Sequence, residues 1–256
     1  MEHRIKINLM GATLALAGVI GASVVTSTIV VARSVERRTK VQAENQREVS
    51  VKGSARMSVR SDRARWRIVC RADGQSLKAA FASLEVATNE VRNFLSDRGF
   101  APEQVVLEAI DTRTFYAMDK RGEPTRTPEG FRLERAIVVT TIAVEPVAAA
   151  VGEVTQLIRN GLQIVSEAPE YTLSTLPEVR IKIVGDAGRD AMTRAQEIVS
   201  ATGAKVGVLK DLRVGPIQIT PPLSTEVDGG GRYDTSTIDK DVVVAVNAVF
   251  AIDAMK

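Results

Sequence analysis

Residues 48–71 read EVSVKGSARMSVRSDRARWRIVCR, and this stretch decides the fold class. Apolar and polar residues alternate along both of its halves. In the second half Trp66, Ile68 and Cys70 fall on one face, and arginines fall on the other. A period of two residues indicates a half-buried strand. Because Ser61 and Asp62 separate the halves, the stretch predicts two neighbouring strands joined by a turn.

Beyond residue 71, strands continue in pairs and helices separate the pairs. Ser76 and Pro146 are typical of helix starts, and Gly99, Gly161 and Gly203 are typical of helix ends. The predicted strands are 48–60, 65–71, 104–116, 131–144, 162–173, 205–219 and 241–252, and the predicted helices are 77–98, 146–160 and 177–202.

The resulting order, β-β-α-β-β-α-β-α-β-β, predicts an α+β fold of antiparallel strand pairs with helices packed on one face. A doubly wound parallel sheet would alternate strand and helix strictly, and this order does not. Two stretches rich in proline, glycine and polar residues, 117–130 and 220–240, are predicted to be loops.

Composition excludes much of enzyme chemistry. The chain has one histidine, His3, which lies ahead of any foldable segment, and one cysteine, Cys70. A histidine-based triad, an internal disulfide and a zinc knuckle are therefore excluded. The charge is also uneven, since residues 1–40 hold six basic and two acidic residues and the remainder holds 28 basic and 29 acidic. A near-neutral body does not indicate a nucleic-acid partner.

Residues 7–32 are 26 residues without a charge. As a helix they would be roughly 39 Å long, enough for a hydrocarbon core of ~30 Å. We expect a single transmembrane anchor here, with residues 1–6 as a cytoplasmic amino terminus and 33–48 as a linker or stalk. A cleaved signal peptide is the alternative, with weak cleavage-like patterns at 15–17 and 30–32.

Charge alone favours the opposite orientation. Two basic residues precede the span and four follow it closely, so the positive-inside rule would place the carboxyl side in the cytoplasm. A folded domain can nevertheless translocate behind a weakly biased anchor. Charge therefore does not determine the orientation.

Several motifs spread along residues 49–252 resemble one family. They are a V-x-V-x-G…V-x-x-D-x-A opening at Val49, Val51, Gly53, Val59, Asp62 and Ala64; the helix ending LSDRGF; a Y-x-L…L segment at 171–176; the helix DAMTRAQEIVSATGAKVGVL, with Ala191, Ala195, Gly203 and Gly207 in place and Val199 where the family has alanine; and the closing strand DVVVAVNAVFAID.

These features resemble the SIMPL-domain family, a domain of unknown function found in bacterial oxidative-stress defence proteins and a periplasmic immunogenic antigen. The resemblance implies an exported domain over residues 49–253, without known catalytic residues and with a link to stress tolerance. It also implies that some members form ring- or barrel-like homo-oligomers and that one branch keeps an uncleaved amino-terminal span. We follow it for the orientation, with the carboxyl-terminal domain extracytoplasmic (periplasmic).

Candidate site residues each have a structural interpretation that we prefer. Asp62 is expected to cap backbone amides in the turn between the first two strands. Gly53 and Gly203 are expected to meet backbone requirements. Cys70 is expected to be a core cysteine rather than a redox sensor.

Three further groups of residues are also interpreted as solvated surface. Residues 228–231 (DGGG) resemble a fragment of a calcium or phosphate loop but lack its other residues. Asp119, Glu123 and Glu129 have no spacing that fixes a site. The arginines at 56, 60, 63, 65, 67 and 71 are either a patch for anionic partners or the outer face of a hairpin, which we prefer.

The sequence thus predicts a membrane-anchored, extracytoplasmic protein that is not an enzyme and has no catalytic, cofactor-binding or metal residues. We expect a homo-oligomeric assembly or interaction module of the cell envelope. The alternative is an envelope ligand-binding protein that uses the loops 117–130 and 220–240. A hydrolase using carboxylates alone is the least favoured interpretation.

Overall fold

The computed structural model describes residues 47–224 and 229–253. These form nine strands and four α-helices, with a 3₁₀ turn at Pro102–Gln104. The elements are β1 (Glu48–Arg60), β2 (Arg63–Gly74), α1 (Leu77–Asp97), β3 (Val105–Met118), β4 (Pro124–Thr141), α2 (Val144–Glu153), α3 (Thr155–Arg159), β5 (Gln163–Ser166), β6 (Glu170–Thr172), α4 (Leu176–Ser200), β7 (Lys205–Val214), β8 (Gln218–Thr220) and β9 (Asp239–Asp253).

The chain is an α+β protein with two sheets. One sheet has the order β3-β4-β2-β5, with β6 also paired to β2, and these pairings are antiparallel. The other has the order β1-β9-β7, with β8 also paired to β9. The antiparallel α+β class predicted from the sequence is confirmed.

The chain divides into two compact units. One comprises residues 53–190 and 214–246, and the described part of the other comprises residues 47–52, 191–213 and 247–253.

The larger unit is built around β2. Trp66, Ile68 and Cys70 are completely buried, as their alternation predicted, and they belong to one apolar cluster with side chains of α1, α2 and α3. Because that cluster uses one face of the strand, these three helices cover the same face of this sheet. The indole Nε1 of Trp66 donates to Ser166 Oγ at 3.0 Å, so burial leaves its polar atom satisfied.

Helix α1 begins and ends as the sequence predicted. The Ser76 hydroxyl accepts a hydrogen bond from Ala79 N at 3.2 Å, which satisfies one of the free amides of the first turn. Gly99 follows the helix with a φ of +81°, a conformation that glycine adopts without strain. The buried face of α1 includes Leu84, Val91 and Leu95 at helical spacing.

The hairpin predicted at 117–130 is present, but its predicted loop is too long. Strand β3 runs to Met118 and β4 begins at Pro124, so the two form a long hairpin with a turn at 119–123. Pro124 and Pro128 lie in the part of β4 that pairs with β3 alone. Where a strand has a neighbour on one side only, proline can place its nitrogen, which lacks an N–H, on the side without a neighbour. Proline therefore does not end the strand here.

Two predicted strands are each divided. The strand predicted at 162–173 is β5 and β6, separated at Pro169, where the amide hydrogen bond of a continuous strand is lost. The strand predicted at 205–219 is β7 and β8, separated at Gly215 and Pro216. At Gly215 a Cβ would lie 3.0 Å from the carbonyl oxygen of Ala245, so the close approach of the backbones favours glycine.

The predicted helix at 146–160 is also divided, into α2 and α3, and it begins two residues earlier at Val144. The third predicted helix is the continuous α4, and Gly203 follows it with a φ of +75°.

The predicted anchor at 7–32 and nearly all of the predicted stalk lie outside the described residues. Within 47–224 and 229–253, none of the helices combines the length and the apolar character that crossing a bilayer requires.

Candidate interaction surfaces

Cys70 is a core residue, as predicted. Its side chain is completely buried on β2, and burial raises the pKa of its thiol to about 11. A nucleophilic cysteine needs access to solvent and a lowered pKa. The thiol therefore has neither property that a redox sensor requires.

Asp62 caps a backbone amide, but one from a distant part of the chain. Its carboxylate accepts from Ser174 N at 2.8 Å and from Ser174 Oγ at 2.5 Å. Burial opposes ionisation of this carboxyl group, but the bonds from Ser174 outweigh it and hold the pKa below its usual range. The predicted role as a cap is therefore right. The carboxylate interacts with its own amide in the β1–β2 turn and also binds the distant Ser174, which was not predicted.

The arginines of the first two strands are mostly neutralised within the chain. Five of the six have carboxylate partners: Arg56 with Asp241 at 3.0 Å, Arg60 with Glu145 and with Asp239 at 3.1 Å, Arg65 with Glu170 at 3.8 Å, Arg67 with Glu167 at 2.6 Å and Glu108 at 3.2 Å, and Arg71 with Glu134 at 3.1 Å. Exposed pairs of this kind contribute little stability. Their effect is to remove the excess positive charge that an anion-binding patch would need.

The loop carboxylates do not converge on a site. Asp119 belongs to the β3–β4 turn, where its Oδ1 accepts from Arg121 N at 2.8 Å and from Glu123 N at 2.9 Å. Glu129 lies in β4. In the part of the chain that the structure describes, no three histidine, cysteine or acidic side chains are placed to hold a metal ion.

The segment 229–240 contains a buried ion pair that the sequence analysis missed. Lys240 Nζ donates to Asp234 Oδ2 at 3.1 Å, and the side chain of Lys240 is 1% exposed. Ser236 Oγ and Thr237 Oγ1 also donate to the Asp234 carboxylate, at 2.7 and 2.5 Å. Burial opposes its ionisation, but these bonds outweigh that effect and hold its pKa well below the usual range. The run Asp-Thr-Ser-Thr was the available signal, because short polar side chains bond neighbouring amides.

Residues 234–240 of the predicted 220–240 loop are therefore held in the fold, whereas the glycines at 229–231 are exposed, as a solvent loop would be. Asp234 N donates to Ile219 O at 2.9 Å, and Tyr171 N donates to Thr235 O at 2.7 Å. Ser61 N donates to Ile238 O at 2.8 Å. Asp228, at the start of the glycine run, lies outside the described residues.

Strand β7 is the most exposed apolar element of the smaller unit. It is the last strand of its sheet, and its apolar side chains remain in solvent: Val208 is 74% exposed, Leu209 50% and Leu212 39%. The exposed residues include both odd and even positions, so the described residues leave both faces of the strand uncovered. A long apolar edge strand is a template for pairing with another chain.

Strand β3 is a second edge. It ends the other sheet and pairs only with β4 among the described strands. Val106 is 56% exposed, Tyr116 44% and Met118 66%. Like β7, it carries charged side chains on its exposed surface, including Glu108, which pairs with Arg67.

Comparison with known proteins gives one positive result. A search of curated proteins finds no match to this sequence. The model of the SIMPL family, described as a protein of unknown function (DUF541), matches residues 49–250. The match covers both sheets and α1–α4, and the resemblance seen in the sequence is confirmed. The chain belongs to the SIMPL family, a family of unknown function.

Proposed function

We propose that this protein is a non-enzymatic assembly and interaction module, in which copies of the chain associate through β7. The observation that carries the proposal is the uncovered edge of this strand. Val208 and Leu209 leave at least half of their surface in water. Fully burying a valine or leucine side chain contributes about 1.5–3 kcal/mol, so a partner strand would bury a favourable surface.

The backbone of β7 supports the same proposal. An edge strand leaves alternate N–H and C=O groups without a partner in its own sheet, and a second strand can satisfy them. Natural edges are often protected by charge. Here Lys210 lies 3.8 Å from Glu48, and Arg213 pairs with Asp211 at 3.1 Å, so part of that protection is neutralised.

The proposed location is the cell envelope. The uncharged run 7–32 would anchor the chain by a single pass, and the family resemblance supports an extracytoplasmic, periplasmic domain with a link to stress tolerance. In this proposal the anchor concentrates copies at one membrane, which favours their association through β7.

The alternative, an envelope ligand-binding protein, loses support because its two predicted loops differ from expectation. The 117–130 stretch is mostly hairpin strand, and 232–238 is held by backbone hydrogen bonds. These described residues do not form the open loops on which that proposal depended.

The test is the absolute mass of the full-length chain in mild detergent across a hundredfold dilution. We expect a discrete oligomer that the double variant Val208→Glu/Leu212→Glu dissociates, because two carboxylates would be desolvated in the interface. The matched control is Val86→Glu, at an exposed position of α1. A monomeric native chain, or a double variant that keeps the native mass, would contradict the proposal.

A further inference from the structure

A groove of about 540 Å³ lies between the carboxyl-terminal half of α1 and the start of β3. One wall is a polar face of the helix, formed by Asn89, Arg92, Asn93 and Ser96. Their spacing of three, four and seven residues places them on the same side of α1. None of the described residues that line the groove is acidic.

These four side chains make no hydrogen bond or ion pair with any part of the chain that the structure describes. Arg92 therefore contrasts with the arginines of β1 and β2, most of which have carboxylate partners. A guanidinium in a groove without acids attracts an anionic group from outside. The two carboxamides beside it can each donate and accept hydrogen bonds.

The opposite wall is apolar and ends at a free strand edge. Phe100, Pro102, Val105 and Leu107 form it, and Phe100 is buried at its base. Among the described strands β3 pairs with β4 alone, and its register shifts between Leu107 and Ile110. A helix face and a free strand edge that flank one groove are the geometry in which an extended peptide adds a strand to a sheet.

We propose that this groove binds an extended acidic peptide segment, which adds as a strand along the first residues of β3. The peptide backbone pairs with the free edge near Val106. A carboxylate side chain of the peptide meets the guanidinium of Arg92, and Asn89 and Asn93 bind the polar groups beside it. An apolar peptide side chain packs on Leu107.

The inference is independent of assembly through β7. The groove residues belong to the larger unit, whereas the exposed apolar residues Val208, Leu209 and Leu212 belong to the smaller one. A groove variant should leave the oligomeric mass unchanged, and a β7 variant should leave peptide binding unchanged. Failure of either proposal can therefore be recognised separately.

The first step of the test is to pan a phage-displayed random dodecapeptide library against the full-length chain in detergent. We expect peptides rich in Asp and Glu with alternating apolar residues. A library panned in parallel on Arg92→Glu should instead enrich Lys and Arg, because the groove charge is inverted. Failure to enrich any sequence, or the same acidic peptides on both proteins, would overturn the proposal.

The second step uses the best selected peptide, synthesised with a fluorescein label, and measures its Kd by anisotropy. We expect Arg92→Glu to weaken binding by about tenfold or more. Lys78→Glu is the matched control, with the same charge change at an exposed position of the same helix, and it should change Kd less than about twofold. Equal weakening by both variants would show a general charge effect and would overturn the site.

Hydrogen exchange gives the position of the bound peptide. Val105 N already donates to Pro102 O. The amides at 106–107 should exchange more slowly when the peptide is present, because a new strand protects free edge amides. Protection confined to β7, or none at β3, would contradict strand addition at this edge.

Discussion

Strands β2 and β7 show the same alternation in sequence and have opposite environments. In β2, Trp66, Ile68 and Cys70 are completely buried under α1–α3. In β7, Val208 and Leu212 fall at positions of the same period but remain exposed. Alternation predicts a strand with one apolar face, but the element that covers this face comes from elsewhere in the chain or from another chain. Within the part of the chain that the structure describes, the apolar side chains of β7 are thus left without a covering element.

The largest expected effect comes from truncating β2. Trp66→Ala should lower the free energy of unfolding by about 3–5 kcal/mol, because it leaves a cavity beneath the helices. Val208→Ala should change it by less than about 0.5 kcal/mol, since its side chain is mostly in solvent. Urea unfolding, at protein concentrations below those of assembly, measures both.

If Trp66→Ala does not fold, Ile68→Val serves the same comparison, with an expected loss of about 0.5–1.5 kcal/mol. Equal losses at Val208 and at either β2 position would break the contrast between the two strands.

A second large effect is expected at the buried ion pair of Asp234 and Lys240, which lies outside β2 and β7. This pair holds the segment 234–240 in place. Asp234→Ala should lower the free energy of unfolding by about 3 kcal/mol, because it leaves Lys240 buried without its carboxylate. Asp234→Asn keeps the shape and some hydrogen bonds and should cost less. Thermal unfolding at pH 7 gives the difference.

The same carboxylate predicts a pH dependence. The pKa of Asp234 in the folded state lies below its unfolded value of about 3.9. Its contribution is therefore complete above that unfolded value and is lost as the pH falls through the folded pKa. The native chain should lose stability more steeply below about pH 4 than Asp234→Ala does. Parallel slopes in a pH series would contradict this role.

Thiol reactivity tests the contrast between buried β2 and exposed β7 without requiring a large change in stability. With its pKa raised to about 11 and its side chain buried, Cys70 should not react with Ellman's reagent at pH 8 until the chain unfolds. A cysteine introduced by Val208→Cys should react at once in dissociated protein and slowly in the oligomer. One introduced by Val86→Cys should react quickly in both. A Val208→Cys thiol that is equally fast in both states would argue against an interface at β7.

Local sequence patterns predicted most elements correctly. The alternation in 48–71, the Ser76 cap and the glycines at 99, 161 and 203 act through neighbouring residues, so they survive in any tertiary context. The errors fall where another strand changes the outcome. Residues 124–130 look like a loop because of their prolines, but a single strand partner suffices to hold them in β4.

The candidate residues follow the same division. The burial of Cys70 could be predicted because its neighbours in β2 alternate regularly. The partner of Asp62 could not, because Ser174 lies 112 residues away and no local pattern links them. The arginines of β1 and β2 resembled a basic patch for the same reason, since the acids that neutralise them come from other elements.

The sequence by itself determined the α+β class, the order of most elements, the SIMPL family and the exclusion of histidine and disulfide chemistry. These follow from local periodicity, from caps and from residue types, which need no knowledge of distant contacts. Only the tertiary structure decided that 234–240 is held in the fold, that Lys240 is buried against Asp234, and that the described residues leave β7 and the groove beside Arg92 uncovered. Burial and charge pairing depend on which distant segments come into contact, and local sequence patterns do not specify those contacts.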